Sequence, residues 1–218
     1  MEIGKYIDHT NLKMDATSKD IAKLCREAIE YGFETVCVNP CYVPLAKDML
    51  KDTNIGVCTV VGFPLGATTP KVKSFEAIEA CDNGADEIDM VINIGALKDK
   101  DYDFIKKEIE DVRDSIDGKV LKVIIETSLL EDDEIIKMTE ICNESFVNFI
   151  KTNTGFGKRG VSPHDVKLIS KYKDDILEIK ASGGITTFKQ MDERIKAGAT
   201  RIGTSHSVDI VTHMKEEK

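Results

Sequence analysis

Seven short β-type runs alternate with helix-period segments along almost the whole chain, and this alternation restricts the fold more than any other feature. The runs are ETVCV (34–38), IGVCTVVG (55–62), DEIDMVIN (86–93), VLKVIIET (120–127), SFVNFIKT (145–152), ILEIKAS (176–182) and TRIGTS (200–205), with KYIDHT (5–10) a weaker eighth. Between them, TSKDIAKLCREAIEYG repeats Ile21, Leu24, Cys25, Ala28 and Ile29 at helical spacing before Gly32. TTPKVKSFEAIEACDNG offers Thr69 as N-cap, Pro70 at the first helical position and Gly84 past the end. DYDFIKKEIEDVRDSIDG sets Ile105, Ile109, Val112 and Ile116 on one stripe, and EDDEIIKMTEICN, SPHDVKLISKY and TTFKQMDERIKAG repeat the idea. Strands alternating with helices predict a parallel sheet covered by helices. No linker, low-complexity tract or charge block divides the 218 residues, so residues 1–218 read as a single domain. Eight units of about 27 residues fit an α/β fold of the single-domain (β/α)8 TIM barrel type. The runner-up is an open doubly wound sheet, against which stands the lack of a G-x-G-x-x-G after the first strand.

Charges on the strands separate the two. Buried parallel strands read as nearly continuous aliphatic runs, yet Glu87 and Asp89 share a face with Val91, opposite Ile88, Met90 and Ile92. Lys122 and Glu126 share a face with Ile124, Glu178 and Lys180 oppose Leu177 and Ile179, and Lys151 lies on the face of Val147 and Phe149. In an open sheet both faces meet helices, and each such ion costs several kcal/mol. In a closed barrel they point at one axis, where opposite signs pair. Asp89, Glu126, Lys151 and Lys180 lie at or near the C-terminal ends of their strands, where barrel active sites form. A purely structural ion network filling the barrel is the other reading of the same pattern.

Composition bounds the function. The chain is 41% hydrophobic and 32% charged, with a formal net charge of -9 and acids and bases interspersed. This argues against nucleic acid as a partner, and for a cytoplasmic protein without a membrane span. The N-terminus, MEIGKYIDHT, has no basic n-region ahead of an apolar core, so no secretory signal is expected. The six cysteines, Cys25, Cys37, Cys41, Cys58, Cys81 and Cys142, form no CxxC pair and read as reduced and mostly buried. His9, His164, His206 and His213 show no metal-ligand spacing, so no metal or other cofactor is expected.

FIKTNTGFG (149–157) ends an apolar run with a cation. A free lysine titrates near about 10.4, and only the neutral amine attacks a carbonyl. Burial and a second nearby cation both favour the neutral form. Lys180 is the candidate for that second cation, and Asp89, with Lys180 or a water, is the candidate proton carrier. Two lysines and a carboxylate make a Schiff-base site with Lys151 as nucleophile, and match neither a metal centre nor a Ser-His-Asp triad. SGGIT (182–186) and GTSHS (203–207) follow the seventh and eighth strands, where barrels of this kind hold phosphate. Either loop alone reads equally as an ordinary turn; together, downstream of a lysine pair, they favour a phosphate.

YIDHT, VCVNP, TVVGFPLGATTPKVKSFEA, EIDMVINIGAL, LKVIIET, FIKTNTGFG, IKASGGI and RIGTS, in this order and over nearly the whole chain, resemble the deoxyribose-phosphate aldolase family. The resemblance implies a class I, metal-free aldolase on a (β/α)8 barrel. Such an enzyme cleaves 2-deoxy-D-ribose 5-phosphate to D-glyceraldehyde 3-phosphate and acetaldehyde in deoxynucleoside breakdown. It implies Lys151 as the Schiff-base lysine, Lys180 as the second lysine and Asp89 as the acid/base aspartate. It places Gly155, Gly183, Gly184, Gly203 and Ser205 on phosphate-loop positions, and Asp8, Thr10 and Cys37 on positions lining the substrate pocket. Its implied partners are a small sugar phosphate and an aldehyde, and a homo-oligomer, dimer or tetramer, on which the residues themselves are silent. Two positions depart from the family pattern: Asn153 stands where serine is usual, and His206 where a second serine is common. Lys158 and Arg159 read either as phosphate ligands or as solvated charges. Rival functions are another lysine-dependent aldolase or transaldolase, a phosphosugar isomerase, and a non-catalytic barrel that binds a phosphorylated ligand.

Overall fold

Eight strands hydrogen-bond in chain order and the eighth returns to the first, so the sheet has no edge. The structure, a computed structural model, describes residues 3–214. Along the chain come β1 (Ile7–Asn11), α1 (Ser18–Tyr31), β2 (Thr35–Val38), α2 (Val43–Leu50), β3 (Gly56–Val61) and α3 (Pro70–Asp82). Then follow β4 (Glu87–Val91), α4 (Ile94–Lys98), α5 (Tyr102–Ser115), β5 (Val120–Ile124), α6 (Asp132–Glu144) and β6 (Phe149–Lys151). The last are α7 (Pro163–Tyr172), β7 (Glu178–Ser182), α8 (Phe188–Ala197), β8 (Arg201–Thr204) and α9 (Ser207–His213). β1 pairs parallel with β8, Ile7 against Ile202, and this pairing makes the barrel and excludes the open sheet. No helix among the described residues is long and apolar enough to cross a membrane.

Helix starts follow the local chemistry. Thr17 and Asp20 close a capping box on α1, and Ser162 with Asp165 and Thr187 with Gln190 do the same for α7 and α8. Gly32 ends α1 in the left-handed region, at φ 65°. The sequence pattern did not predict α2, α4 and α9. All are short, and α2 buries only Val43, Ala46 and Leu50, too few for a period to show.

Packing divides the apolar residues into two layers. Ile88, Met90, Ile92, Leu121, Val123 and Ile179 join helix residues in the large core between barrel and helices. Inside the barrel a small cluster of Leu12, Cys37, Cys58 and Val60 lies beside the ionised groups. Three expectations need correction. β6 has three residues, not eight, because Phe146 turns out of line at φ 50° and is 71% exposed. Glu126 is not on the inward face of β5: the strand stops at Ile124, and Glu126 turns away at φ 55°. Glu178 begins β7 at the opposite rim, exposed, where it accepts a hydrogen bond from Thr200 Oγ1. Of the cysteines, Cys25, Cys37, Cys58 and Cys142 are buried, Cys81 is half-buried and Cys41 exposed, and all six are free thiols.

Candidate active site

Strand register brings the charged residues together before any side chain is considered. Asp89 of β4 lies opposite Lys122 of β5, and Lys151 of β6 opposite Lys180 of β7. Two ammonium groups side by side repel, and Asp89 relieves that repulsion. Its Oδ2 accepts from Lys151 Nζ at 2.8 Å and from Lys180 Nζ at 2.7 Å. Its Oδ1 accepts from Lys122 Nζ at 2.8 Å and from Cys58 Sγ at 3.2 Å. Lys151 and Lys180 thus share one oxygen, and their nitrogens are no further apart than those two distances together. Lys180 Nζ also lies 2.5 Å from Asp8 Oδ2. Arg201 Nη1 donates to Asp8 Oδ1 at 2.7 Å and sits 3.2 Å from Glu87 Oε2, and Lys122 pairs with Glu87 as well. Three carboxylates therefore meet four cations, one positive charge in excess.

Burial opposes charge on Asp8, Asp89, Lys122, Lys180 and Arg201, and the partners outweigh it. Asp89 would be raised by burial, but the charges of Lys122, Lys151 and Lys180 hold it well below the usual carboxylate range. Burial likewise pushes Asp8 up, and Lys180, Lys122 and Arg201 bring it down further than that. Lys122 and Lys180 are lowered by burial yet lifted above an ordinary lysine, Lys122 chiefly by Asp89 and Lys180 by Asp8 and Asp89. Lys180 is a persistent ammonium.

At the C-terminal ends of the strands opens a cavity of about 540 Å³, the size of a small-molecule site. Lys151 lines it and is 3% exposed, while its nitrogen reaches back to Asp89 Oδ2 at 2.8 Å, so this one residue joins the ion cluster to the space where a ligand would lie. Thr10, Gly155, Gly183, Gly184, Gly203 and Ser205 line it too. Asp89, Lys180, Asp8 and Cys37 are fully buried and do not line it; they form the layer under Lys151. Gly183 and Gly184 have φ of 91° and 72°, a conformation that exposes backbone N–H groups and that side chains resist. His206 lines the cavity, whereas Lys158 and Arg159 do not. Arg159 is spent on Asp165, at 2.6 Å, and on the Thr127 carbonyl, at 2.9 Å.

Cys37 Sγ, Cys58 Sγ and an Asp89 oxygen lie within 4.8 Å of one another, as do ligand atoms of Asp8, Cys58 and Glu87. Such spacing suits a thiophilic ion, but the same carboxylates already receive ammonium groups. Arg201 and Cys58 belong to the cluster and were missed in the sequence. The signal for Arg201 was its parity with Gly203 on β8, two residues apart and therefore on one face. Asp20, Lys23 and Glu27, at helical spacing on α1, extend one side of the cavity and were also missed.

The family model described as DeoC/LacD family aldolase matches residues 3–210. A deoxyribose-phosphate aldolase of Finegoldia magna is 55% identical over 97% of this chain and 99% of its own length. One of Thermococcus gammatolerans is 54% identical over 97% and 96%. A solved structure, described as the unique tetrameric structure of deoxyribose phosphate aldolase from Aeropyrum pernix, superposes with a TM-score of 0.91 at 29% identity. It covers 98% of this chain and 91% of that one. With a lysine pair bridged by one carboxylate at the mouth of a closed barrel, and with matches of this length, the chain belongs to the DeoC/LacD family of aldolases.

Proposed function

We propose that Lys151 forms a Schiff base with C1 of open-chain 2-deoxy-D-ribose 5-phosphate, and that Asp89 and Lys180 move the protons of the cleavage. The activity is the reversible cleavage of that sugar phosphate to D-glyceraldehyde 3-phosphate and acetaldehyde, a carbon–carbon lyase reaction of deoxyribonucleotide breakdown. One observation carries the assignment of roles: Lys151 and Lys180 share Asp89 Oδ2, but only Lys151 reaches the cavity. Lys180 is gripped by both Asp8 and Asp89, whereas Lys151 has Asp89 alone and lines the cavity, which favours Lys151 as the nucleophile.

The steps follow. The neutral amine adds to the aldehyde carbon, and loss of water leaves an iminium, an electron sink. The C3 hydroxyl proton leaves by way of a water to Asp89, beside the Lys180 ammonium, the C2–C3 bond breaks, and its electron pair forms an enamine. With Lys151 engaged in the iminium, Asp89 still lies between the Lys122 and Lys180 ammonium groups and is a poor resting place for a proton, which suits a relay onward to water, with Lys180 taking a proton only as it gives one up. Glyceraldehyde 3-phosphate departs; the enamine takes a proton at C2, and water hydrolyses the resulting imine to acetaldehyde. The phosphate lies against Gly183, Gly184, Gly203 and Ser205, with Gly155 across from them and His206 in place of a serine. That anchor fixes C3 and C4 relative to the amine, a contribution of orientation. Thr10 contacts the substrate directly, while Asp8 and Cys37 act from the layer below.

The chain works as one barrel domain in the cytoplasm and assembles as a homo-oligomer, a reading supported by the tetrameric relative of Aeropyrum pernix. Borohydride reduction in the presence of deoxyribose 5-phosphate tests the chemistry. The adduct maps to Lys151, and Lys151→Ala loses both adduct and retro-aldol activity with EDTA present; full activity in that variant would refute the covalent route.

A further inference from the structure

Glu126 stands outside the ion cluster and the mechanism does not use it, yet it is 3% exposed and held at a positive φ of 55°. A non-glycine residue in that region costs about 1 kcal/mol or more and persists where its surroundings over-determine it. The carboxylate is saturated with donors. Oε1 accepts from Ser128 Oγ at 2.5 Å and Asn153 Nδ2 at 2.9 Å; Oε2 accepts from Thr154 N at 2.9 Å and Thr154 Oγ1 at 2.6 Å. Three of those four donors belong to the loop between β6 and α7, which starts directly after Lys151. Thr154 Oγ1 in turn accepts from Phe156 N at 3.0 Å, and the Phe156 ring meets Phe63 edge-on, centroids 5.5 Å apart. The loop wraps the carboxylate so closely that a Cβ at Gly157 would collide with Glu126 Oε1 and Ser128 Oγ. On its other side the loop is tied to β7, where Ser182 Oγ donates to the Asn153 carbonyl at 2.6 Å, one residue before Gly183.

We infer that Glu126 is a positioning residue: it folds residues 153–157 into the wall that faces Gly183 and Gly184, and so sets the phosphate end of the cavity. It touches no cavity space itself. Its leverage lies in Thr154, Gly155 and Phe156, which line the cavity: it holds the Thr154 backbone directly and that of Phe156 through Thr154 Oγ1. Glutamine at this position keeps the shape but replaces one acceptor oxygen by a donor, so at least one of the four donors loses its partner.

This role rests on the phosphate end proposed above, and its test separates the two. Binding of inorganic phosphate to the resting enzyme, measured by calorimetry, requires no aldol chemistry. Glu126→Gln weakens it by about 10-fold, the size of one lost charge-assisted hydrogen bond. Borohydride trapping of acetaldehyde on Lys151 continues at the wild-type rate. The preference for deoxyribose 5-phosphate over unphosphorylated deoxyribose, as a ratio of kcat/KM, falls by the same factor. If Glu126→Gln does not fold, Ser128→Ala, which removes the 2.5 Å donor to Glu126 Oε1 and lies outside the cavity lining, carries the same expectation. Unchanged phosphate affinity, or equal loss on both sugars, would overturn the role of Glu126. A wild type that binds phosphate but forms no Lys151 adduct would instead overturn the aldolase chemistry and leave this role standing.

Discussion

Gly203 has no side chain because Lys180 needs the space. A Cβ there would stand 3.0 Å from Lys180 Cε and 3.0 Å from Ser182 Cβ, closer than side chains tolerate without moving. Ser182 is tied to Thr152 and Asn153 and has little room to yield, so the lysine stem gives way. Its nitrogen would then leave the 2.7 Å contact with Asp89. Gly203→Ala is therefore expected to fold and to lose kcat on the order of 10²-fold, the effect of a misplacement of about 1 Å in a catalytic group. Steady-state kinetics beside a thermal melt measures both; a fully active variant would show that the position of Lys180 is not critical.

Between elements, the most consequential contact outside the barrel is the buried pair of Lys73 on α3 and Glu108 on α5. Lys73 Nζ donates to Glu108 Oε1 and to the Val91 carbonyl, each at 2.7 Å, and Asn93 N donates to Glu108 Oε2 at 3.0 Å. Two helices thereby grip the end of β4, two residues beyond Asp89. Gly62 makes room, since a Cβ there would lie 2.8 Å from Lys73 Cε. Burial lowers Lys73 and raises Glu108 despite their mutual attraction, so desolvation dominates this pair. Lys73→Met alone is expected to cost about 3–5 kcal/mol, because Glu108 is left charged and unpaired. Adding Glu108→Gln restores much of that, since the amide oxygen still accepts from Asn93. Denaturant melts of the two single variants and the double close the cycle; simple additivity would mean that the two groups stabilise separately.

Across the whole molecule, the barrel interior sets how stability depends on pH. Asp8 and Asp89 are lowered in the folded chain, so their contribution is complete above the unfolded value near about 4. As pH falls below it, the unfolded chain binds protons that the barrel refuses, and stability declines toward the folded values. Lys122 and Lys180 are raised, so their contribution is complete below about 10.4 and declines as pH rises past it. The expected Tm profile from this cluster is a plateau between about pH 5 and 10 with loss on both sides. Asp8→Asn should lower the plateau and flatten the acid limb. An acid limb as steep as the wild type's would place the responsible carboxylates elsewhere.

Alternation along the chain determined a parallel sheet covered by helices, because β-type runs that alternate with segments of period 3.6 leave little else, and the charges on the strands favoured the closed form that the pairing of β1 with β8 makes. It also determined that Asp89, Lys151 and Lys180 face inward, because the parity of a strand is fixed by local geometry. Parity stopped being informative where strands stopped: Glu126 and Phe146 lie in turns with positive φ, and Glu178 at a rim. Short helices such as α2 were invisible for want of a full period. Only tertiary structure decided that one oxygen of Asp89 serves two lysines, that Arg201 and Cys58 join them, and which lysine meets the cavity. Those facts depend on closure of the ring and on the register between strands far apart in sequence, and no local pattern encodes either.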